Sequence, residues 1–414
     1  MSASLSALAP HGVRVAFITE LAEQLHAYGT TAQRLEGALL GVAERLGVEC
    51  EPWINPTGMI LTFRDPGDPQ ANDLTRVIRL PPGETDLSRL ARADRIAEDV
   101  LAGRMGIAEG REALGALARV PTRRWRAMQV VAFALVAAAV GGLLRLPWLD
   151  IATAGVAGLC IGLIDQWARA QPQLGESLEA LAGMLAAAIA ITVASFLGPL
   201  NLNTVIIASV IVLLPGMALT NAINELTSQH LVSGTARFAG ALSTILKLTI
   251  GTMLTLTLAK LLGLEPEVAF SRPQPLWVEG LGLLVGCYAF AVAFRAARRD
   301  YPLVMLSAAT GYLISRSAGE SWGDVAGVFL AAFVMTLAGN VYARWKNRPG
   351  ALVRLPGIIL LVPGSVSFRG LISLMQQQDI DAGQAALMAV MNILMALIAG
   401  LLFGNLLIPA RRNL

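Results

Sequence analysis

Charge is scarce in this chain: of 414 residues only 15% are Asp, Glu, Lys or Arg, while 55% are hydrophobic and the mean hydropathy is +0.60. So small a charged fraction excludes an ordinary soluble protein of this length and marks a polytopic membrane protein. Cysteine is as rare. Cys50, Cys160 and Cys287 lie far apart with no CxxC or metal-ligand spacing, which leaves them as packing residues. The three histidines, His11, His26 and His230, form no HxxxH pair and no nucleophile-base grouping that spacing supports, so no catalytic residue, metal ligand or cofactor is expected, and no enzyme. There is no GxxxxGK[ST] loop, which argues against ATP as direct driver. The net charge of +3 is small and sorted by side of the membrane, so no nucleic-acid partner is implied. Without a continuous apolar run in the first twenty residues, no cleavable signal peptide is expected.

What the chain has instead is a short mixed domain followed by long apolar segments. Residues 1–120 predict a soluble α/β domain. Two helices, over 13–28 and from Thr30, whose spacing to Gln33 resembles a capping box, precede strands at 51–54, 59–64 and 74–80 and two further helices. Arg34 and Glu36, two apart on the second helix, suggest a solvated surface. From Met128 ten apolar segments follow, at 128–144, 149–165, 178–197, 203–222, 238–262, 276–294, 301–315, 325–343, 353–372 and 386–408. Arginine and lysine concentrate before the first, between the sixth and seventh, between the eighth and ninth (Arg344, Lys346, Arg348, Arg354) and after the tenth. By the positive-inside rule both termini are cytoplasmic.

The stretch 205–228, VIIASVIVLLPGMALTNAINELTS, begins as a membrane helix and is interrupted by Pro215 and Gly216 about ten residues in, near mid-membrane. Proline removes a helical hydrogen bond, and lipid cannot replace it, so such a break is tolerated only against protein or a wet cavity. The half-helix that restarts there points its positive dipole end inward, where an anionic group can dock. Thr220, Asn221, Asn224 and Ser228 add a polar stripe. The bland alternative is a proline kink satisfied by neighbouring helices. A second copy, LPGIILLVPGSVSFRGLIS at 355–373, carries Pro363 and Gly364 at an offset of 148 residues (215 to 363), and Ile245-Leu246 keeps that offset with Ile393-Leu394. Five segments per half is odd, so the halves (121–270 and 271–414) form a 5+5 inverted repeat with two antiparallel broken helices, the arrangement of alternating-access transporters.

Polar residues inside apolar segments supply the remaining candidates. Lys247 lies midway along the fifth segment and suggests either a coupling role or pairing with an interior carboxylate. Arg369, on the face of Ser365 and Ser373, either clamps a carboxylate or snorkels. Glu225, Asp165 and Glu179 each suggest a coupling proton or a solvated helix-end charge. Asn392 matches Thr244 across the repeat.

The stretches Gly29-Thr30-Thr31-Ala32-Gln33-Arg34-Leu35-Glu36, Pro56-Thr57-Gly58, LLPGMALTNAINEL at 213–226, Ser233-Gly234-Thr235-Ala236-Arg237 and LVPGSVSFRG at 361–370 together resemble the bacterial threonine/serine exporter family, with two modules joined in one polypeptide. The resemblance implies an inner-membrane exporter of small amino acids or related carboxylates, driven by the proton gradient, with a cytoplasmic N-terminal domain. Its partners would be the solute, protons and lipid, with a homo-oligomer allowed. Alternatives from other classes are an exporter or passive channel for small dicarboxylates and a membrane-embedded enzyme.

Overall fold

The computed structural model describes residues 9–68, 72–118, 122–268, 273–362, 364–377 and 380–409. At the N-terminus, α1 (His11–Ala27) and α2 (Ala32–Leu46) precede an antiparallel sheet of β1 (Glu49–Asn55), β2 (Gly58–Arg64) and β3 (Leu74–Arg79), in that spatial order, and then α3 (Leu87–Leu101) and α4 (Ile107–Leu117). The β1–β2 turn forms because Asn55 Oδ1 accepts from the Thr57 amide at 3.0 Å, and because a Cβ at Gly58 would strike the Ile78 carbonyl. Asp86 caps α3 by accepting from the Arg89 amide at 2.9 Å. Phe17, Leu21, Leu25, Leu35, Leu39, Leu61 and Phe63 are buried between the helices and one face of the sheet.

The capping box expected at Thr30 and Gln33 does not form. The N-cap of α2 is Thr31, without a side-chain cap. The Ala32 amide donates instead to Glu225 Oε1, 193 residues away, at 3.0 Å.

The membrane region comprises α5 (Arg123–Leu143), α6 (Trp148–Ala168), a short α7 (Pro172–Glu176), α8 (Leu178–Phe196), α9 (Leu202–Val210), α10 (Gly216–Thr227), α11 (Leu231–Leu261), α12 (Leu276–Ala293), α13 (Tyr301–Trp322), α14 (Asp324–Lys346), α15 (Ala351–Ile359), α16 (Gly364–Gln377) and α17 (Ile380–Leu407). Eight stretches are long and apolar enough to cross a membrane, seven of them single helices and one running over α15 and α16, and the bent α9–α10 pair makes nine among the described residues. The seventh expected segment, 301–315, is α13, whose last two turns carry Arg316 and Glu320 and whose composition falls short of a span. Leu242, Leu246, Ile250, Leu254 and Leu258 are exposed at four-residue spacing along α11, the stripe a lipid-facing helix presents. On the inward faces small residues let backbones touch. A Cβ at Gly183 on α8, Gly251 on α11 or Gly311 on α13 would strike the backbone of the facing helix.

The N-terminal unit docks on one end of this bundle, and its apolar core continues into Ala291, Ala296, Val304, Ala351 and Leu352. Chain direction can be followed from that docked end. There α5 starts and α12 finishes, with Gln129 Nε2 donating to the Val292 carbonyl at 2.6 Å and the Leu87 amide to Phe294 at 3.0 Å. There α6 finishes, with Arg169 on Glu84 at 3.1 Å, and α13 starts. There too α10 finishes, with Glu225 in its last turn, and α15 starts at Ala351. The halves also share local geometry. Arg145 and Arg295, which end α5 and α12, both sit at φ 54°, and in each case two amides fold back on the helix at 2.9 and 3.0 Å.

Candidate functional site

Pro215 has no N–H and keeps Leu214 out of the helical region, so the helix cannot run through. After α9 the chain makes one 3₁₀ turn over Ile211–Leu213. Leu214 is extended at φ −65°, ψ 129°, and α10 restarts at Gly216, bent by 60° from α9. The restart lies against the second interruption. A Cβ at Gly216 would lie 2.9 Å from Val362 Cγ2 and 3.3 Å from the Gly364 amide nitrogen. A Cβ at Gly364 would lie 3.1 Å from the Gly216 nitrogen and 3.2 Å from Leu214 Cβ. Only glycine at both positions lets the two half-helix starts approach this closely. Pro363 lies outside the described residues.

Of the other substrate-site candidates, Thr220 is buried and donates to the Gly216 carbonyl at 3.1 Å, inside its own helix. Asn221 and Asn224 on α10 and Ser365 on α16 are half-buried. Arg369 and Asn392 are exposed on α16 and α17.

The coupling candidates all occur in ion pairs. Glu225, fully buried, holds Arg237 through both carboxylate oxygens at 3.0 and 3.1 Å, and also accepts from Ser233 Oγ at 2.8 Å and from the Ala32 amide. Asp165 pairs with Arg169 at 2.9 Å. Lys247 and Glu179 pair with each other at 3.5 Å, and Lys247 Nζ also donates to the Glu176 carbonyl at 2.8 Å. Lys247 lies midway along α11, and the carboxylate it pairs with is Glu179. The 31 residues of α11 extend about 46 Å at 1.5 Å per residue, well beyond a hydrocarbon core. Lys247 lies level with the first turn of α8, with 41% of its side chain exposed. Hydropathy marked where the apolar segment lay but not how far α11 extends past its neighbour.

The solvated surface expected for Arg34 and Glu36 is corrected. Glu36 Oε2 lies 2.8 Å from His230 Nε2, and Arg34 is set deeply enough that burial pushes it down to about 10. Glu36 belongs to the contact between α2 and the turn joining α10 to α11. Arg354, assigned from sequence to a loop, is 6% exposed within α15.

In the membrane region sequence reasoning also missed three buried carboxylates. Asp150, 0% exposed, accepts from Asn201 Nδ2 at 2.6 Å. Glu279 takes Tyr312 Oη at 2.8 Å and pairs with Arg316. Asp300 holds Arg348 at 2.7 and 2.8 Å. Each is a single acidic residue at the edge of an apolar run, a signal that was present but not weighed.

A bundle of membrane-crossing helices, with two interruptions meeting at paired glycines and an α/β unit docked on one end, defines a multi-pass helical membrane protein of transporter architecture. The chain belongs to the threonine/serine exporter family. The ThrE threonine/serine exporter model matches residues 16–259, and a second, described as "Threonine/Serine exporter, ThrE", matches residues 279–407. The chain is similar to the "Probable threonine/serine exporter" of Mycobacterium tuberculosis, 24% identical over 78% of this chain and 63% of that protein. It is similar also to "Pheromone-regulated membrane protein 10" of Pichia sorbitophila, 25% identical over 88% of this chain and 38% of that protein. The chain thus spans less than two thirds of the length of these relatives. No solved structure matches it.

Proposed function

We propose that this protein is a secondary transporter that exports threonine, serine or a similar small amino acid across the inner (plasma) membrane, coupled to protons. The observation that carries this reading is the contact of Gly216 with Gly364. Two half-helix amino ends meet there, and their positive dipole ends suit a substrate carboxylate, while Asn221, Asn224 and Ser365 orient the rest of the solute. We infer a cytoplasmic domain over 1–120 and two five-helix modules, 121–270 and 271–414, in inverted repeat. The opposite directions of α5 and α12, α6 and α13, and α10 and α15 at the docked end support it, as do the matching turns at Arg145 and Arg295. Arg123, Arg124, Arg126, Arg295, Arg298, Arg299, Arg344, Lys346 and Arg348 all belong to that end, which supports a cytoplasmic orientation for it.

Glu225 is the favoured coupling group, because its protonation would release Arg237, Ser233 and the α2 amino end in one event, linking the first broken helix to the docked domain.

Counterflow in proteoliposomes with labelled threonine, serine and succinate tests the reading. Threonine or serine exchange, with uphill accumulation under an imposed pH gradient, is expected. Exchange of succinate alone would transfer the assignment to dicarboxylates, and flux that a pH gradient cannot drive uphill would make the protein a passive channel.

A further inference from the structure

One carboxylate in the bundle is enclosed without a cation. Asp150, in the first turn of α6, is 0% exposed. Its Oδ2 accepts from Asn201 Nδ2 at 2.6 Å and from the Asn201 amide at 3.2 Å, while its Oδ1 is buried without a hydrogen-bond partner. Among the described residues no lysine, arginine or histidine pairs with it. On the neighbouring segments Arg145, at the end of α5, donates to the Gln274 carbonyl, and Glu265 and Glu267, on the segment that bonds the Leu200 amide, are themselves acidic.

The second half of the chain supplies at the equivalent place what the first half lacks. Arg145 and Arg295 close the same turn (145 to 295, an offset of 150), and α8 and α14 keep that offset at their ends, Phe196 and Lys346. In this register Asp150 corresponds to Asp300 and Gly198 to Arg348. Asp300, 3% exposed, is held through both oxygens by Arg348 at 2.7 and 2.8 Å. Gly198 also lies over the start of its helix, since a Cβ there would be 3.6 Å from Leu149 Cδ2, but it has no side chain to offer. The same buried carboxylate thus occurs twice, once with a cation from the chain and once without.

A charged carboxylate in such a place is costly, and the amino end of α6 offsets only a small part of that cost. An ionisable group held this way inside a membrane bundle marks an ion site. A single carboxylate carries one negative charge, which a monovalent cation matches and a divalent one overshoots. We propose that Asp150, with Asn201, binds a small monovalent cation, a proton or a sodium ion, at the end of the bundle opposite the docked unit. Trp148, two residues away and half-exposed, packs on Trp277 with ring centroids 5.8 Å apart, the kind of aromatic pair found at a membrane interface, so the cation has little of the bilayer to cross. Asn201 is the N-cap of α9, so occupancy bears on the helix that leads to Gly216. The site is distinct from Glu225, which lies at the docked end. Its use in coupling rests on the export activity proposed above; the binding itself does not.

The test uses the full-length protein in detergent. Thermal unfolding is followed at pH 8 as choline chloride is exchanged for sodium chloride at constant ionic strength, and infrared difference spectra are recorded from pH 5 to pH 8 in choline chloride. A saturable rise in Tm with sodium identifies sodium, and the C=O stretch of a protonated carboxyl identifies a proton. Either signal should be lost in Asp150→Asn. That variant should unfold in choline chloride at a Tm no lower than the wild type, because a neutral amide needs no cation and keeps the contact with Asn201. Asp300→Asn should instead lower Tm, because it strips Arg348 of its partner. The proposal is overturned if the wild type shows neither signal, if Asp150→Asn keeps the wild-type signal, or if Asp150→Asn lowers Tm or fails to fold. The readout is ion occupancy rather than flux, so its failure is distinguishable from failure of the transport assignment.

Discussion

Gly216→Ala is the sharpest perturbation of the proposed site. The added methyl would sit 2.9 Å from Val362 Cγ2 and 3.0 Å from Val362 Cβ, where ordinary contacts begin near 3.4 Å. Val362 is β-branched and stiff at χ1, so relief has to come from a shift of several tenths of an ångström between the two half-helices. Overpacking of this size costs about 1–3 kcal/mol. If the touching arrangement is one of the states the transport cycle visits, its population falls roughly 5- to 150-fold, and exchange with it. The assay is threonine counterflow in proteoliposomes at matched protein density. Two controls accompany it. Gly240→Ala on α11, where the new methyl meets nothing within 4 Å, should exchange like the wild type. Adding Val362→Ala to Gly216→Ala removes the atoms in conflict and should restore most of the lost rate. Wild-type exchange by Gly216→Ala, or no recovery in the double variant, would refute the claim that the two breaks must approach.

Four further outcomes follow from named contacts. Glu225→Ala leaves Arg237 without its carboxylate and the Ala32 amide uncapped, and should cost about 3–5 kcal/mol in unfolding experiments. Glu225→Gln should cost less and should make threonine accumulation insensitive to an imposed pH gradient. Lys247→Met breaks a half-exposed pair at 3.5 Å and should change stability by about 1 kcal/mol or less, with exchange kept within a few-fold of wild type. Asp94, buried in α3, is pushed up to about 7, first by burial and then by Glu98, against the pull of Arg348. Because its folded value is raised, its stabilising contribution is full below about 4 and is lost as pH rises through 7, on the order of 4 kcal/mol in all. Tm measured from pH 5 to pH 8 should therefore fall less steeply in Asp94→Asn than in the wild type.

Local chemistry made much of this protein legible from its residues. A proline followed by glycine inside an apolar run breaks a helix wherever it occurs, so the interruption at 215–216 could be placed to the residue, and a low charged fraction leaves a bilayer as the solvent. The strands and amphipathic helices of the N-terminal unit were equally visible, since their periods of 2 and 3.6 are properties of neighbours in sequence.

What covers a face is a different matter. A capping box at Thr30 and a solvated pair at Arg34 and Glu36 were reasonable for an isolated α2. Both failed because Glu225 and His230, distant in sequence, take up that surface. Sequence alone therefore determined that the chain lives in a membrane and where its helices break, because backbone sterics and transfer from water act over a few residues. Only the tertiary structure decided that the two breaks meet at Gly216 and Gly364 and which charges find partners, because long-range Coulomb pairing and helix packing depend on distances that no local pattern encodes.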